Sequence, residues 1–146
     1  MVNKALLQNR RASYFCTMQI LPGIYIHNTE KKGNGVFTAT ALPKDTIVET
    51  SPVVVMTAEE RTLLDETLLH DYIFEWNPNG EKKCCMAQGY ISVYNHSATS
   101  NCEYFMDYEN RTISIKTVRD ISPNEELTIN YNGDWNDSKP VWFETV

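Results

Sequence analysis

The sequence predicts one domain that is mainly β, with several small sheets and few short helices. Short runs of β-branched and aromatic residues recur between turn residues along most of the chain. A single segment has the apolar spacing and the capping residues of a helix. Strands and helices do not alternate as they do in parallel sheets, and the chain has no internal repeat. Its 146 residues suit one hydrophobic core.

The first part of this domain is predicted to be a series of strands joined by polar turns. A turn rich in Asn, Lys and Gly at 28–35 and a second turn at 42–45 separate the β-prone runs. Ser51-Pro52 is expected to break the last run in two, because proline cannot donate to a strand ladder. The predicted strands are 24–26, 36–39, 47–50 and 53–56.

The one predicted helix begins at Thr57. Thr57 and Glu60 have the spacing of a capping box, in which each side chain satisfies a free backbone amide. Leu63, Leu64, Thr67 and Leu68 follow at helical spacing and predict one apolar face. After the helix the sequence predicts a strand at 72–74, a turn at 77–80, a hairpin of 102–106 with 112–118, and a short strand at 126–129.

Composition and charge indicate which kinds of molecule this protein can bind. The formal net charge of −6 argues against nonspecific nucleic-acid binding and is compatible with a basic protein or peptide partner. No segment approaches the roughly 20 apolar residues of a membrane span, and the N-terminus lacks the apolar core of a secretory signal. We therefore expect an intracellular protein, with the nucleus or a host cell as candidate locations.

The cysteines predict neither a disulfide framework nor a metal site. Cys16, Cys84, Cys85 and Cys102 contain no Cys-x-x-Cys pair and have no histidine at zinc-ligand spacing. We expect reduced thiols and no bound metal.

Two segments near the C-terminus carry the functional information. The first, residues 88–101, reads QGYISVYNHSATSN and places an Asn-His pair in an aromatic setting. The second, residues 124–131, reads NEELTINY and ends a β-prone run in a tyrosine. In this order they resemble the two signature motifs of SET-domain protein-lysine methyltransferases. Residues 32–37, KGNGVF, and 45–49, DTIVE, resemble two earlier SET segments, so the likeness spans about residues 20–135.

The resemblance implies a SET fold, in which the C-terminal segment is threaded in a knot-like way. It is greatest to the minimal viral and bacterial SET proteins, which lack cysteine-rich zinc-binding flanks. It divides the chain into an N-terminal extension, 1–16, a SET domain, 17–135, and a short tail, 136–146, which could form part of a lid. A second subunit could also supply that lid, which makes a homodimer a candidate assembly.

The chain departs from the family pattern at three positions within these motifs. Ala98 stands where a cysteine is frequent, Ser100 where a proline is frequent, and Asn124 where a glycine is frequent. None of these positions is expected to contact the methyl group. The tail contains Trp135, Trp142 and Phe143 in place of a zinc-binding lid.

The resemblance also implies an activity: transfer of a methyl group from S-adenosylmethionine to a lysine amine in a protein, with S-adenosylhomocysteine as the product. The expected substrate is a basic, lysine-containing protein or peptide, and a histone is one candidate. Neither nucleic acid nor a membrane is an expected partner. Two alternatives remain open: a catalytically silent SET-like module that binds a peptide or protein, and a β-rich structural protein with chance motif matches.

Roles for individual residues follow from the matched positions. Tyr131 is the expected catalytic residue, since a phenol oxygen beside the methyl group can accept weak C–H···O contacts and orient the amine. Tyr72 is a second catalytic candidate. The other possibility for both is ordinary packing. The expected cofactor-binding residues are Lys32, Gly33, Asn34, Gly35, Asn95, His96, Tyr131 and Trp135. The expected walls of the lysine channel, which could instead be core side chains, are Tyr72, Tyr90 and Tyr94.

Overall fold

The computed structural model describes residues 17–141, and they confirm a mainly β protein with short helices. One α-helix, α1, covers Ala58–Leu64, and two 3₁₀ turns cover Leu68–Tyr72 and Ile91–Val93. The strands are β1 Gln19–Ile20, β2 Ile24–Thr29, β3 Gly33–Thr38, β4 Ile47–Met56, β5 Phe74–Trp76, β6 Lys83–Ala87, β7 Asn95–His96, β8 Cys102–Asp107, β9 Thr112–Thr117 and β10 Glu126–Ile129.

The larger sheet is built around β4. Its strand order is β5-β6-β4-β9-β8, and β1 also pairs with β4. The predicted break at Ser51-Pro52 is wrong, because β4 runs through both residues. Residues up to Pro52 pair with β9, whereas Val53 and those after it pair with β6. The proline therefore lies where β4 changes partner, and its missing N–H does not interrupt the strand.

The smaller sheet has the order β2-β3-β10-β7. The hairpin of β2 and β3 is antiparallel, and β10 continues it by pairing antiparallel with β3. On its other side β10 pairs in parallel with β7. Strands distant in sequence thus meet in one sheet, and the parts of the chain that carry the motifs lie next to each other.

The core lies between the two sheets and is made largely of β-branched and leucine side chains. Val36 and Leu127 contribute from the smaller sheet, and Val48, Ile113 and Ile115 from the larger one. Their side chains are almost entirely buried. This apolar contact, rather than any cross-link, holds the sheets together: the described cysteines, Cys84, Cys85 and Cys102, are buried and free.

The region from 57 to 76 differs from the prediction after a correct start. Thr57 caps α1 through the predicted capping box with Glu60. The predicted apolar face is not buried, because no residue of α1 or of the following 3₁₀ turn is buried. The predicted strand at 72–74 is displaced, since Tyr72 ends that 3₁₀ turn and the strand covers Phe74–Trp76.

Several predictions fall partly or wholly outside the described residues. The N-terminal extension, 1–16, lies outside them, as do Trp142 and Phe143 of the tail. The domain boundaries and the knot-like threading stay predictions. No helix in the described part of the chain is long and apolar enough to cross a lipid bilayer.

Candidate active site

The candidate site forms where β10 passes between β3 and β7. In the parallel pair of β7 and β10, Asn95 lies opposite Thr128 and His96 opposite Ile129. Tyr131, two residues beyond the end of β10, thereby reaches His96. Its backbone N–H donates to Nδ1 of His96 at 3.2 Å, and the two rings lie 5.2 Å apart. The strand pairing joins the two sequence motifs into one arrangement.

The hydroxyl of Tyr131 is held by the main chain. It donates to the carbonyl oxygen of Tyr94 at 2.8 Å. Burial, with a smaller effect from the nearby Asp71, raises the pKa of Tyr131 to about 12. The phenol therefore stays protonated at neutral pH, so it can donate one hydrogen bond and accept others but does not serve as a base.

His96 is a neutral acceptor in this arrangement. Because Nδ1 accepts from the Tyr131 amide, the proton of the neutral ring is assigned to Nε2. Burial, and secondarily the charge of Lys32, lowers the pKa of His96 below its ordinary 6.5. Lys32 itself donates through Nζ to the carbonyl oxygen of His96 at 3.1 Å. The turn between β2 and β3 is thus tied directly to β7.

Asn95 and the glycines of β3 complete the contact between these segments. Nδ2 of Asn95 donates to Oε1 of Glu126 at 2.7 Å and to the carbonyl oxygen of Asn34 at 3.3 Å. A Cβ at Gly35 would lie 2.5 Å from Oε1 of Glu126 and 2.9 Å from Nδ2 of Asn95, so a larger residue there would have to displace these side chains. Gly33 has open space instead, but its φ of +72° favours glycine.

A cavity of about 370 Å³ opens beside Tyr131. The tyrosines Tyr72, Tyr94 and Tyr131 line it, together with the aromatic rings of Phe74 and Tyr104. Tyr72 is 41% exposed, whereas Tyr94 is fully buried. Aromatic faces of this kind can surround an alkyl chain that ends in a cationic or neutral amine.

Charged side chains also line this cavity. Asp65, Asp71 and Glu75 are acidic, and Arg61 and His70 are basic. Asp65 is engaged by both basic groups, at 3.9 Å from Nε of Arg61 and 3.0 Å from Nδ1 of His70. Within residues 17–141, no cluster of His, Cys, Asp and Glu side chains could hold a metal ion.

The profile of the SET domain family matches residues 33–132, which is most of the chain. The chain belongs to the SET-domain family. A Schizosaccharomyces pombe protein named histone-lysine N-methyltransferase, H3 lysine-37 specific, is 38% identical over 120 residues, or 82% of this chain and 76% of that protein. The crystal structure of a Plasmodium falciparum protein, provisionally assigned as a histone methyltransferase, matches with a TM-score of 0.60. That match has 29% identity and covers 80% of this chain and 98% of that one.

These findings confirm the predicted family, and with it the class of enzyme: the SET domain described here is that of a protein-lysine methyltransferase. They do not test the roles of single residues. Of the predicted site residues, Tyr72, Tyr94 and Tyr131 line one cavity. Lys32, Asn34, Asn95 and His96 are linked to one another or to Tyr131 by the hydrogen bonds above.

Tyr90 and Trp135 lie apart from the cavity lining. Tyr90 is half-buried and packs against the core. Trp135 is 42% exposed, and its carbonyl oxygen accepts from the backbone N–H of Ser100 at 3.2 Å. A proline at position 100 has no N–H to donate, so this departure from the family pattern helps to attach the Trp135 segment to the SET domain. The expected role of Trp135 in binding the cofactor stays a prediction.

The structure also explains the departure at Asn124, which has a φ of +63°. This left-handed conformation favours glycine, and asparagine adopts it more readily than other residues do. The turn before β10 therefore keeps its shape without the glycine that is frequent in the family.

Sequence reasoning missed the importance of Glu49 and Asn101, although both lie in segments that resemble the family. Asn101 is buried; its Nδ2 donates to the carbonyl oxygen of Glu126 at 2.7 Å, and its Oδ1 accepts from the Thr128 amide at 2.8 Å. Glu49 is buried in β4. Burial raises its pKa, and hydrogen bonds from Ser51 and Tyr90 act against that rise. The available signal for Glu49 was a lone carboxylate within a β-prone run.

Proposed function

We propose that this SET domain transfers a methyl group from S-adenosylmethionine to the side-chain amine of lysine in a basic protein. The observation that carries the proposal is the position of Tyr131. Its backbone amide contacts His96 of the Asn-His motif, while its hydroxyl lies at the cavity lined by Tyr72 and Tyr94. One residue thus joins the segments expected to bind the cofactor to the space expected to receive lysine.

The residues around β3 and β7 have the chemistry to hold the amino-acid end of S-adenosylmethionine. Nδ2 of Asn95 donates hydrogen bonds to Glu126 and Asn34. Its Oδ1 accepts no hydrogen bond from the described residues, so it is available to accept one from the ammonium group. Lys32 provides a positive charge for a carboxylate, and the open side of Gly33 leaves its peptide groups accessible. Trp135 offers an exposed ring for the adenine. S-adenosylmethionine, when bound, supplies the reactive methyl group.

The cavity residues act on the lysine. An ordinary lysine, with a reference pKa of about 10.4, is rarely neutral at pH 7, and methyl transfer needs its lone pair. Enclosure by Tyr72, Tyr94 and Phe74 removes water and favours the neutral amine. The protonated phenol of Tyr131 orients the amine and accepts C–H···O contacts. These groups contribute position and electrostatics and do not remove a proton themselves.

The substrate class follows from charge and from the relatives. The net charge of −6 favours a basic partner, and Asp71 and Glu75 place acidic groups at the cavity. The fission-yeast relative is named for lysine 37 of histone H3. We therefore propose a lysine of a basic protein as the target, with a histone as the first candidate. A histone substrate would locate the enzyme in a nucleus, its own or that of a host.

Calorimetric titration with S-adenosylmethionine tests the cofactor site. We expect saturable one-to-one binding that is lost in Asn95→Ala and kept in Asn79→Ala, which changes an exposed turn residue. Transfer of labelled methyl groups to histones and to cell extracts then tests the activity. Cofactor binding without transfer to any protein would favour the silent peptide-binding module. Absence of binding in the intact protein would contradict the proposed site.

A further inference from the structure

Glu49 is a buried carboxylate to which the proposed chemistry assigns no role. It is 1% exposed, and among residues 17–141 no other acidic side chain is fully buried. Burying a carboxylate is unfavourable unless hydrogen bonds compensate for the lost water. The hydrogen bonds of this side chain therefore indicate which part of the structure the buried carboxylate stabilises.

One oxygen of Glu49 holds the start of a 3₁₀ turn. Oε1 accepts from the backbone N–H of Tyr90 at 2.8 Å and from Oγ of Ser51 at 2.8 Å. The turn Ile91–Val93 begins immediately after Tyr90. Gly89 makes this contact possible, because a Cβ at that position would overlap Oε1 of Glu49. The glycine of the first motif thus provides space for the carboxylate.

The same carboxylate also faces the end of that turn. The Tyr94 hydroxyl and the Glu49 carboxyl interact closely enough for each to affect the pKa of the other. Oε2 of Glu49 and the Tyr94 hydroxyl are both buried, and within the described residues neither has a partner at full hydrogen-bonding geometry. Two orphaned polar atoms that lie together are best satisfied by each other.

Tyr94 connects this contact to Tyr131. Its side chain meets Glu49, while its carbonyl oxygen accepts the Tyr131 hydroxyl at 2.8 Å. We propose that Glu49 and the Tyr94 hydroxyl are positioning residues, which fix the turn of residues 90–94 at both ends and so set the orientation of the Tyr131 hydroxyl. This inference rests on the proposed role of Tyr131. The hydrogen bond to the Tyr94 carbonyl directs the phenol proton toward the turn, so the position of the turn sets the orientation of the hydroxyl.

A double-mutant cycle on methyl transfer tests this proposal. Tyr94→Phe removes the hydroxyl and keeps the ring and the carbonyl. We expect it to lower kcat about tenfold, as a small misplacement of a reacting group does, with the KM for S-adenosylmethionine unchanged. In a Tyr131→Phe background the same change should have no further effect, because there is no hydroxyl left to position.

Glu49→Gln and Tyr108→Phe are matched variants for this cycle. The glutamine keeps an acceptor for the Tyr90 amide and a polar group toward Tyr94, so it should retain most of kcat, while Glu49→Ala should lose at least as much as Tyr94→Phe. Tyr108 is 43% exposed and packs on Trp76, away from the turn, so its change to Phe should leave kcat unaltered. Thermal unfolding of each variant identifies any that fails to fold.

The outcomes separate this inference from the proposed function. Wild-type kcat in Tyr131→Phe would remove the proposed role of Tyr131 itself. A second outcome would overturn the positioning role alone. In it, Tyr131→Phe has a reduced kcat, but Tyr94→Phe either leaves kcat unchanged or lowers it equally in the wild type and in Tyr131→Phe. If Tyr131→Phe has no measurable turnover, NMR of ¹³C-labelled tyrosine decides. The Tyr131 ring resonance should shift in Tyr94→Phe and not in Tyr108→Phe, and an unmoved resonance in both would overturn the proposal.

Discussion

Two regions border the cavity, and they are built in opposite ways. The first, which we call the crossing, consists of β3, β7, β10 and Tyr131; the second, the wall, consists of residues 58–72. In the crossing, Val36, Leu127 and Ile129 are completely buried, and β10 is bonded to neighbours on both sides. In the wall no residue is buried, and Leu63 and Leu68 are 68% and 76% exposed.

The difference indicates that the two regions of the SET domain have different functions. The crossing holds the groups proposed to bind the cofactor and orient the amine, where small displacements have large effects on rate. The wall presents apolar and charged side chains to solvent at the edge of the same cavity. Changes in the crossing should therefore affect stability, cofactor binding and kcat, whereas changes in the wall should affect substrate recognition.

The largest expected effect on stability comes from Asn101→Ala, beside the crossing. Its side chain bridges Glu126 and Thr128, and its removal leaves partly buried backbone groups of β10 without these partners. We expect the free energy of unfolding to fall by about 2–4 kcal/mol in urea titrations. Asn79→Ala, in an exposed turn, should change it by less than about 0.5 kcal/mol. Equal small effects in both variants would show that the crossing is not held in this way.

Gly35→Ala should follow, with an effect on both stability and cofactor binding. The added methyl meets Glu126 and Asn95, so we expect a loss of about 1–3 kcal/mol in stability and weaker binding of S-adenosylmethionine by calorimetry. Gly80→Ala is the control. It has a φ of +76° and open space, and should cost about 1 kcal/mol through backbone strain alone. Binding as strong in Gly35→Ala as in Gly80→Ala would place the cofactor elsewhere.

Acidification should weaken the crossing through His96. The pKa of its folded form lies below the ordinary 6.5, so folding favours the neutral ring. The stability contributed by this residue is complete above about pH 6.5 and is lost as the pH falls through the lowered pKa. Glu125 stays ionised in this range, because its hydrogen bond with Arg119 lowers its pKa to about 2.

Urea unfolding between about pH 7.5 and pH 5.5 measures this dependence. His96→Asn is the matched variant, since its Oδ1 can accept from the Tyr131 amide in place of Nδ1 and does not titrate. The loss of stability on acidification should be smaller in this variant than in the wild type. The same slope in both proteins would exclude His96 as its source.

The smallest effect on stability is expected in the wall. Leu68→Ser should change the free energy of unfolding by less than about 0.5 kcal/mol, because the side chain is exposed. Steady-state kinetics should show a KM for a histone peptide that rises roughly fivefold, as expected for about 1 kcal/mol of lost contact, with kcat unchanged. Val54→Ser, at a side chain that is 51% exposed on β4 and outside the wall, should leave both values unaltered. A lower kcat in Leu68→Ser would argue against a wall that acts only in substrate recognition.

Local signals in the sequence were sufficient for some elements. The strand at 126–129 is found with the predicted bounds, since alternating apolar residues follow the turn at Pro123-Asn124. The capping box at Thr57 is equally local. In contrast, β6 was missed, because Lys83–Ala87 contains no β-branched residue and owes its extended form to pairing with β4 and β5.

The site could be predicted as a set of residues but not as an arrangement. The motifs identified Asn95, His96 and Tyr131, yet the parallel pairing that joins them connects strands about thirty residues apart. Likewise, periodicity predicted an apolar helical face at Leu63 and Leu68 but could not indicate whether another element would cover it. The role inferred for Glu49 depends on a partner at position 94, which no local pattern relates to it.

The most direct test of the central claim is the rate of methyl transfer by Tyr131→Phe. The claim is that the Tyr131 hydroxyl, at the junction of the crossing and the cavity, orients the reacting amine. We expect kcat to fall by about 100-fold, or the number of methyl groups added to change, while the affinity for S-adenosylmethionine stays within about twofold and the protein remains folded. A variant with wild-type kcat and wild-type products would contradict the account.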